Sequence, residues 1–238
     1  LARTRPSAAV ANANARIRAW WVMIVAGGLV LALGRAAVAA LFAALAWVAL
    51  TEFTGRRTRW FGLVPAQFAA AVFGPAWLTA ILIPVVRRES GLLLIVWGLS
   101  WIAALPSTDQ MFFFVLVVQA SDVLQYLWGR ALGRTKVAPR LSPAKTVEGL
   151  VGGVVSASAL GALLHALTPF TPLAAAVVTL AVTLAGFASG LVFSAIKRDR
   201  GIKDWGTVIA GHGGVLDRVD SLCLSAPAFY AVLKLAVS

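Results

Sequence analysis

Residues 171–193 read TPLAAAVVTLAVTLAGFASGLVF, an apolar stretch without a charged residue. Its length matches the roughly 20 residues that a helix needs to cross the hydrocarbon core of a bilayer. Similar apolar runs lie at about 19–34, 36–53, 60–73, 75–86, 90–105, 109–128, 147–168 and 221–238. Because lipid offers the backbone no hydrogen-bond partners, each run is predicted to be a helix. The sequence therefore predicts an all-α, polytopic transmembrane helical bundle of about nine helices.

The composition supports a membrane class and argues against a soluble one. Of the 238 residues, 60% are hydrophobic and 13% are charged, whereas a soluble domain carries roughly 25% charged residues. The excess of 21 Lys and Arg over 9 Asp and Glu is typical of basic cytoplasmic loops. Nucleic acid is not an expected partner, because the chain has no soluble basic module. The single cysteine, Cys223, permits no internal disulfide and no cysteine-based metal site.

The positions of the basic residues predict an orientation. Beyond the basic N-terminus, they cluster at 56–59, 87–88, 130–145 and 197–218. Two short helices bent near Pro75 would place all these clusters on one side of the membrane, whereas a single span over 60–86 would divide them. The positive-inside rule favours the first arrangement, with the N-terminus in the cytoplasm.

This orientation gives an expected organisation in two parts. Residues 1–110 are predicted to be N-terminal transmembrane helices, and residues 111–238 a C-terminal transmembrane catalytic region with cytoplasmic loops 129–146 and 194–220. We therefore expect an integral, multi-pass membrane protein with its site on the cytoplasmic side, and a bacterial inner membrane is the expected location.

The segment 194–220 carries four of the nine acids and is the main candidate for chemistry. Its cations suit phosphate oxygens, and glycines on both sides of His212 allow the backbone to approach an anion closely. Asp217 and Asp220 are three residues apart and share a helix face. Carboxylates beside phosphate-binding cations are typical of a Mg²⁺–nucleotide site. The alternative is a basic loop whose acids only balance its charge.

The order of residues in this segment follows S-x-x-K-R-x4-K-D-x-G-x4-G-H-G-G-x2-D-R-x-D, from Ser194 to Asp220. It resembles the signature of the CDP-diacylglycerol synthases, also called phosphatidate cytidylyltransferases. A second block of the same family runs from Asp122 to Gly149. The resemblance covers about residue 120 to the C-terminus. Before residue 120, only the hydrophobic pattern and the short stretch Thr51-Glu52-Phe53 agree with the family.

Two positions depart from the family pattern. Ala210 replaces a usual proline, from which we expect little consequence. Gly190 stands where family members commonly carry an aspartate that helps to hold metal. The expected metal site therefore either uses Asp217 with other acids, such as Asp122, Asp204 or Asp199, or holds fewer ions.

The resemblance implies that CTP and phosphatidate give CDP-diacylglycerol and pyrophosphate, a Mg²⁺-dependent step in phospholipid biosynthesis. A second cation is an open alternative. The implied metal ligands are Asp217, Asp220, Asp204 and Asp122. The implied phosphate-binding and catalytic residues are Lys197, Arg198, Lys203 and Arg218, with His212 orienting phosphate or relaying a proton. The nucleotide or lipid-phosphate side is expected to involve Ser142, Lys145, Thr146, Glu148, Ser194, Gly213 and Gly214.

The expected partners are CTP, phosphatidate and the lipid bilayer, and a homodimer is an open arrangement. Three other functions also stay open. A transporter would carry ionisable residues within its spans, but here the acids concentrate in loops, with Asp122 the main exception. The others are a related enzyme acting on a different lipid phosphate and a catalytically weakened partner protein, which Gly190 would favour.

Overall fold

The computed structural model describes residues 21–22, 25–55, 63–73, 93–208 and 213–237. The helices with both ends in these ranges are α1 (Arg35–Thr54), α2 (Leu63–Phe73), α3 (Gly98–Ala103), α4 (Thr108–Leu132), α5 (Val147–Leu163), α6 (Pro172–Asp199), α7 (Leu216–Val219) and α8 (Leu222–Val237). A π-helical turn, Leu93–Trp97, leads into α3, and a 3-10 turn, His165–Leu167, follows α5.

A short antiparallel hairpin connects α4 to α5. Its strands are β1 (Lys136–Ala138) and β2 (Ser142–Thr146), with Lys136 opposite Thr146 and Ala138 opposite Ser142. The hairpin falls in the polar loop predicted at 129–146, and residues 129–132 of that loop are the last turn of α4. The only addition to the all-α architecture in the described ranges is thus a small hairpin between two helices.

The all-helical prediction is confirmed in outline. Long predicted runs such as 109–128 and 171–193 correspond to α4 and α6, which extend beyond them into the polar segments. The count of nine is not confirmed, because the described ranges contain eight complete helices, together with helical residues at 25–32. The run predicted at 75–86 lies outside the described residues.

Among the described residues, four helical segments are long and apolar enough to cross a membrane: Arg35–Thr54, Thr108–Leu132, Pro172–Asp199 and Leu216–Ala236. Large apolar side chains stay exposed along α6, including Leu173, Val177, Leu180 and Leu184. Contiguous exposed apolar surface of this kind is unfavourable in water and suits contact with lipid tails. The chain is therefore a membrane protein.

Side-chain caps define where the long helices begin. The Ser107 hydroxyl accepts the Gln110 N–H at 3.2 Å at the start of α4. The Thr171 hydroxyl accepts the Ala174 N–H at 3.3 Å at the start of α6, and Pro172 occupies the first turn, where its missing N–H costs nothing. These caps satisfy backbone donors that a helix terminus leaves unpaired.

Aromatic packing joins α4 to α8 in the core. Phe229 stacks on Phe113 and Phe114, with centroid separations of 5.8 and 5.4 Å, and all three side chains are fully buried. Helix α4 also packs on α5, α5 on α6 and α6 on α8. This packing brings the carboxyl ends of α1, α4 and α6 to the same end of the bundle as the amino ends of α5 and α8, where the candidate site lies.

Candidate active site

A buried ion pair joins the end of α6 to α7. Lys197 Nζ lies 2.7 Å from Asp217 Oδ1, and the two side chains are only 11% and 6% exposed. Lys197 comes two residues before the end of α6, while Asp217 is the second residue of α7. The structure thus brings together two predicted catalytic residues that are 20 positions apart in the sequence.

The second oxygen of Asp217 organises the loop between α6 and α7. Oδ2 accepts the backbone N–H groups of Trp205 at 2.8 Å and Gly214 at 3.0 Å. Gly213 beside it has φ +83°, and a Cβ at this position would lie 3.0 Å from the same oxygen. Glycine is therefore required at 213 by both backbone conformation and space.

A second charged group lies deeper, between α4, β2 and α8. The ammonium of Lys145 interacts electrostatically with Asp122, Asp220 and Lys197, and its Nζ lies 4.5 Å from the centre of the Phe187 ring. Burial lowers the pKa of Lys145, and the two carboxylates oppose that shift while Lys197 adds to it. Lys145 is thus a partly desolvated cation beside two predicted metal ligands.

Gly190 faces this group. A Cβ built on Gly190 would lie 2.8 Å from Lys145 Nζ, and within the described residues no other atom comes within 4 Å of it apart from the chain neighbours and the local helix backbone. The Lys145 ammonium therefore occupies the space beside the position where the family pattern predicts an acid.

The four predicted metal ligands do not all converge. Both oxygens of Asp217 are engaged as described, whereas Asp122 and Asp220 interact electrostatically with each other. Asp204 is exposed, although its Cγ lies 3.7 Å from the Cβ position of Gly213. Within the described ranges, no group of three or more His, Cys, Asp or Glu side chains is arranged to hold a metal ion. Two carboxylates completed by substrate phosphates nevertheless fit Mg²⁺.

Several predicted binding residues have structural contacts. The Thr146 hydroxyl accepts the Gly149 N–H at 3.1 Å and caps α5, and the Ser194 hydroxyl donates to the Gly190 carbonyl at 2.7 Å. Arg198 donates from Nε to the Leu141 carbonyl at 3.1 Å, which ties the hairpin to α6. Binding roles for these residues stay predictions.

Glu148 anchors the start of the hairpin. Its carboxylate accepts the N–H groups of Arg134 at 3.0 Å and Thr135 at 3.1 Å. The Arg134 N–H, then its own N–H and that of Thr135, lower the pKa of the Glu148 carboxyl to about 2. This contact is a sufficient structural reason for an acid at 148, and the nucleotide contact predicted for it is untested.

The remaining predicted residues in the described ranges lie closer to the protein surface. Lys203 and Arg218 are exposed, and Ser142 is half-buried at the start of β2. Gln119 Nε2 donates to the Arg218 carbonyl at 3.0 Å, which connects α4 to α7. His212 lies outside the described residues.

Glu52 is a contributor that the sequence did not single out. It lies near the end of α1, and its oxygens accept the N–H groups of Val215 at 2.9 Å and Leu216 at 2.8 Å. These contacts bridge more than 160 positions. The family-like stretch Thr51-Glu52-Phe53 was the one indication in the sequence that this position matters, but it carries no information about what Glu52 contacts.

Comparison with known proteins places this geometry in a family. A model of the "Cytidylyltransferase family" matches residues 92–236, which include the ion pair, the hairpin and the deeper charged group. The chain belongs to the cytidylyltransferase family. It is 33% identical over 257 aligned positions to "Uncharacterized protein YnbB" of Escherichia coli strain K12, an alignment that covers 92% of this chain and 86% of that protein.

Other members of the cytidylyltransferase family match the C-terminal part. A "Phosphatidate cytidylyltransferase" of Aquifex aeolicus is 40% identical over 128 residues, covering 53% of this chain and 48% of the relative. One from Bacillus subtilis is 39% identical over 127 residues, covering 52% and 47%. The matched part thus spans about half the length of these relatives, and membership identifies a nucleotidyltransferase family without fixing the acceptor.

Proposed function

We propose that this chain is a membrane cytidylyltransferase that converts CTP and phosphatidate into CDP-diacylglycerol and pyrophosphate in phospholipid biosynthesis. One observation carries the proposal: two lysine ammonium groups, on Lys145 and Lys197, lie among three aspartates where the helix ends meet. The phosphatidate cytidylyltransferases among its relatives support the choice of substrates.

The reaction joins two polyanions. A phosphate oxygen of the lipid attacks the α-phosphorus of CTP and forms a new P–O bond. The bond from that phosphorus to the bridging oxygen of the β-phosphate breaks, and the electron pair leaves with pyrophosphate. Repulsion between the substrates opposes this approach, so catalysis depends mainly on positioning and charge neutralisation.

The residues divide these tasks. Lys145, which is partly desolvated and lies against Gly190, offers its charge to a phosphate oxygen with little competing water. Lys197 is held by Asp217 in a fixed position. Lys203 and Arg218 are exposed at the surface near this ion pair, where their charge attracts the anionic substrates. Asp122 and Asp220 would hold Mg²⁺, which when bound neutralises phosphate charge.

The acyl chains of the lipid would stay in the bilayer. We propose a multi-pass arrangement with the site on the cytoplasmic side, supported by the four long apolar helical segments and by the basic residues at the same end of the bundle. In this arrangement only the phosphate headgroup has to reach Lys145 and Lys197.

The test uses the full chain purified in detergent, with CTP, Mg²⁺ and a panel of phosphatidate, a polyprenyl phosphate and an archaeol phosphate. We expect pyrophosphate release that requires phosphatidate and stops when EDTA removes Mg²⁺. Release with another lipid only would transfer the proposal to that acceptor. No release with any lipid would overturn it in favour of a transporter or a weakened partner protein.

A further inference from the structure

The end of α1 makes close contact with the loop that carries the ion pair. Helix α1 ends at Thr54, and Gly55 after it adopts φ +66°. Within this last turn, Glu52 reaches the backbone of Val215 and Leu216. Leu216 and Asp217 are adjacent, so Glu52 holds the backbone directly beside the predicted catalytic aspartate.

Glycines leave the room that the Glu52 carboxylate occupies. A Cβ on Gly214 would lie 2.5 Å from Glu52 Oε2, and a Cβ on Gly206 would lie 2.8 Å from Glu52 Oε1. Real Cβ atoms do not approach this closely, so alanine at either position would displace the carboxylate or the loop. The two signature glycines therefore have a structural explanation that involves α1, outside the 92–236 match.

A second contact fixes the same two segments. Arg200, just after α6, donates to the Phe53 carbonyl, and its guanidinium lies 4.0 Å from the centre of the Phe53 ring. The Phe53 ring in turn lies 5.0 Å from the ring of Trp205. The end of α1 is thus held at Phe53 as well as at Glu52, which restricts where this carboxylate can lie.

We infer that Glu52 is a positioning residue for the cytidylyltransferase site, because it sets the backbone from Gly214 to Leu216 and thereby the place of Asp217 and Lys197. The consequence for turnover rests on the proposed function, whereas the consequence for the loop does not. A carboxylate is required, since both of its oxygens accept backbone N–H groups.

The informative variant is Glu52→Gln. A glutamine of the same shape has one acceptor oxygen, and its NH₂ would face one of the two N–H donors. Hydrogen bonds to charged groups account for about 1.5–3 kcal/mol, which corresponds to roughly a 10- to 150-fold fall in kcat/KM for CTP if the displaced loop is needed in the transition state. Glu52→Asp keeps the charge and both oxygens and is expected to recover part of that loss.

The experiment measures amide hydrogen exchange across 213–220 and turnover, on the full chain in detergent. We expect faster exchange in this segment for Glu52→Gln, a smaller change for Glu52→Asp, and no change for the control Asp109→Asn, an exposed acid in the first turn of α4. Unchanged exchange in Glu52→Gln would overturn the inference, as would a Glu52→Gln variant as active as an active wild type. A wild type without turnover would remove the proposed function only, since the exchange result still decides whether Glu52 positions the loop.

Discussion

Replacing Asp217 with asparagine affects folding and chemistry together, because Asp217 is half of a buried pair. With side chains 11% and 6% exposed, neither charge of the pair is well solvated. Removing one partner of a buried pair costs about 3–5 kcal/mol, because the other charge stays buried without compensation. Whichever way the new amide turns, its NH₂ faces either Lys197 or the N–H groups of Trp205 and Gly214.

The expected result is a lower unfolding temperature as well as lost turnover. For a chain of 150–250 residues, 1 kcal/mol shifts Tm by about 2–4 °C, so the lower bound of 3 kcal/mol predicts a fall of roughly 6–12 °C. The double variant Lys197→Met with Asp217→Asn removes both charges and should regain most of that fall. It should not regain turnover, because neither charged group is present.

The assay combines thermal unfolding in detergent with CTP turnover on the wild type, both single variants and the double variant. A Tm for Asp217→Asn within about 2 °C of the wild type would refute the buried pair. A double variant with as low a Tm as Asp217→Asn would refute the idea that the unpaired Lys197 charge causes the loss of stability. A double variant that regains turnover would refute the catalytic role of Lys197 and Asp217.

Three further predictions concern single positions. Lys145→Met should lower turnover at least about tenfold, because it removes the partly desolvated ammonium beside Asp122 and Asp220; unchanged turnover would contradict that role. Glu148 has a folded pKa of about 2, below its ordinary value of 4.5, so its contribution to stability is complete above pH 4.5 and is lost as the pH falls toward 2; the protection of the amides at 134–135, measured relative to the intrinsic exchange rate at each pH, should fall only in that window, and a loss of protection already at pH 6 would be inconsistent. Gly214→Ala should displace the loop and abolish turnover, while the control Gly28→Ala should leave turnover unchanged, because no atom of the described residues outside its own helix backbone lies within 4 Å of a Cβ built there.

Much of the fold follows from the apolar runs. The run at 171–193 predicts α6 because an uncharged stretch of that length has few alternatives in lipid. Its end was less predictable: α6 continues through Lys197 and Arg198 to Asp199, since charged residues with good helix propensity extend a helix beyond the bilayer. The hairpin at 136–146 gave no apolar signal, and it depends on Glu148 holding the backbone of Arg134 and Thr135.

The site could be predicted in its residue types but not in its pairings. The signature identifies Lys197 and Asp217 as polar residues of one segment, whereas their separation of 2.7 Å depends on how the loop between α6 and α7 folds. The contacts of Glu52 could not be predicted from the sequence, because a contact spanning more than 160 positions leaves no local pattern. Gly190 departs from the family pattern in the sequence itself, but its proximity to Lys145 depends on how β2 packs against α6 and has no local signal.

The most direct test of the central claim follows the two ends of the CTP triphosphate separately. Purified full chain is incubated with phosphatidate, Mg²⁺ and CTP labelled at either the α- or the γ-phosphorus, and the lipid is extracted. We expect the α label to enter the lipid phase in step with γ-labelled pyrophosphate, and Lys197→Met to abolish both. A γ label in the lipid, or release of pyrophosphate without any lipid-bound α label, would contradict transfer of the cytidylyl group to phosphatidate.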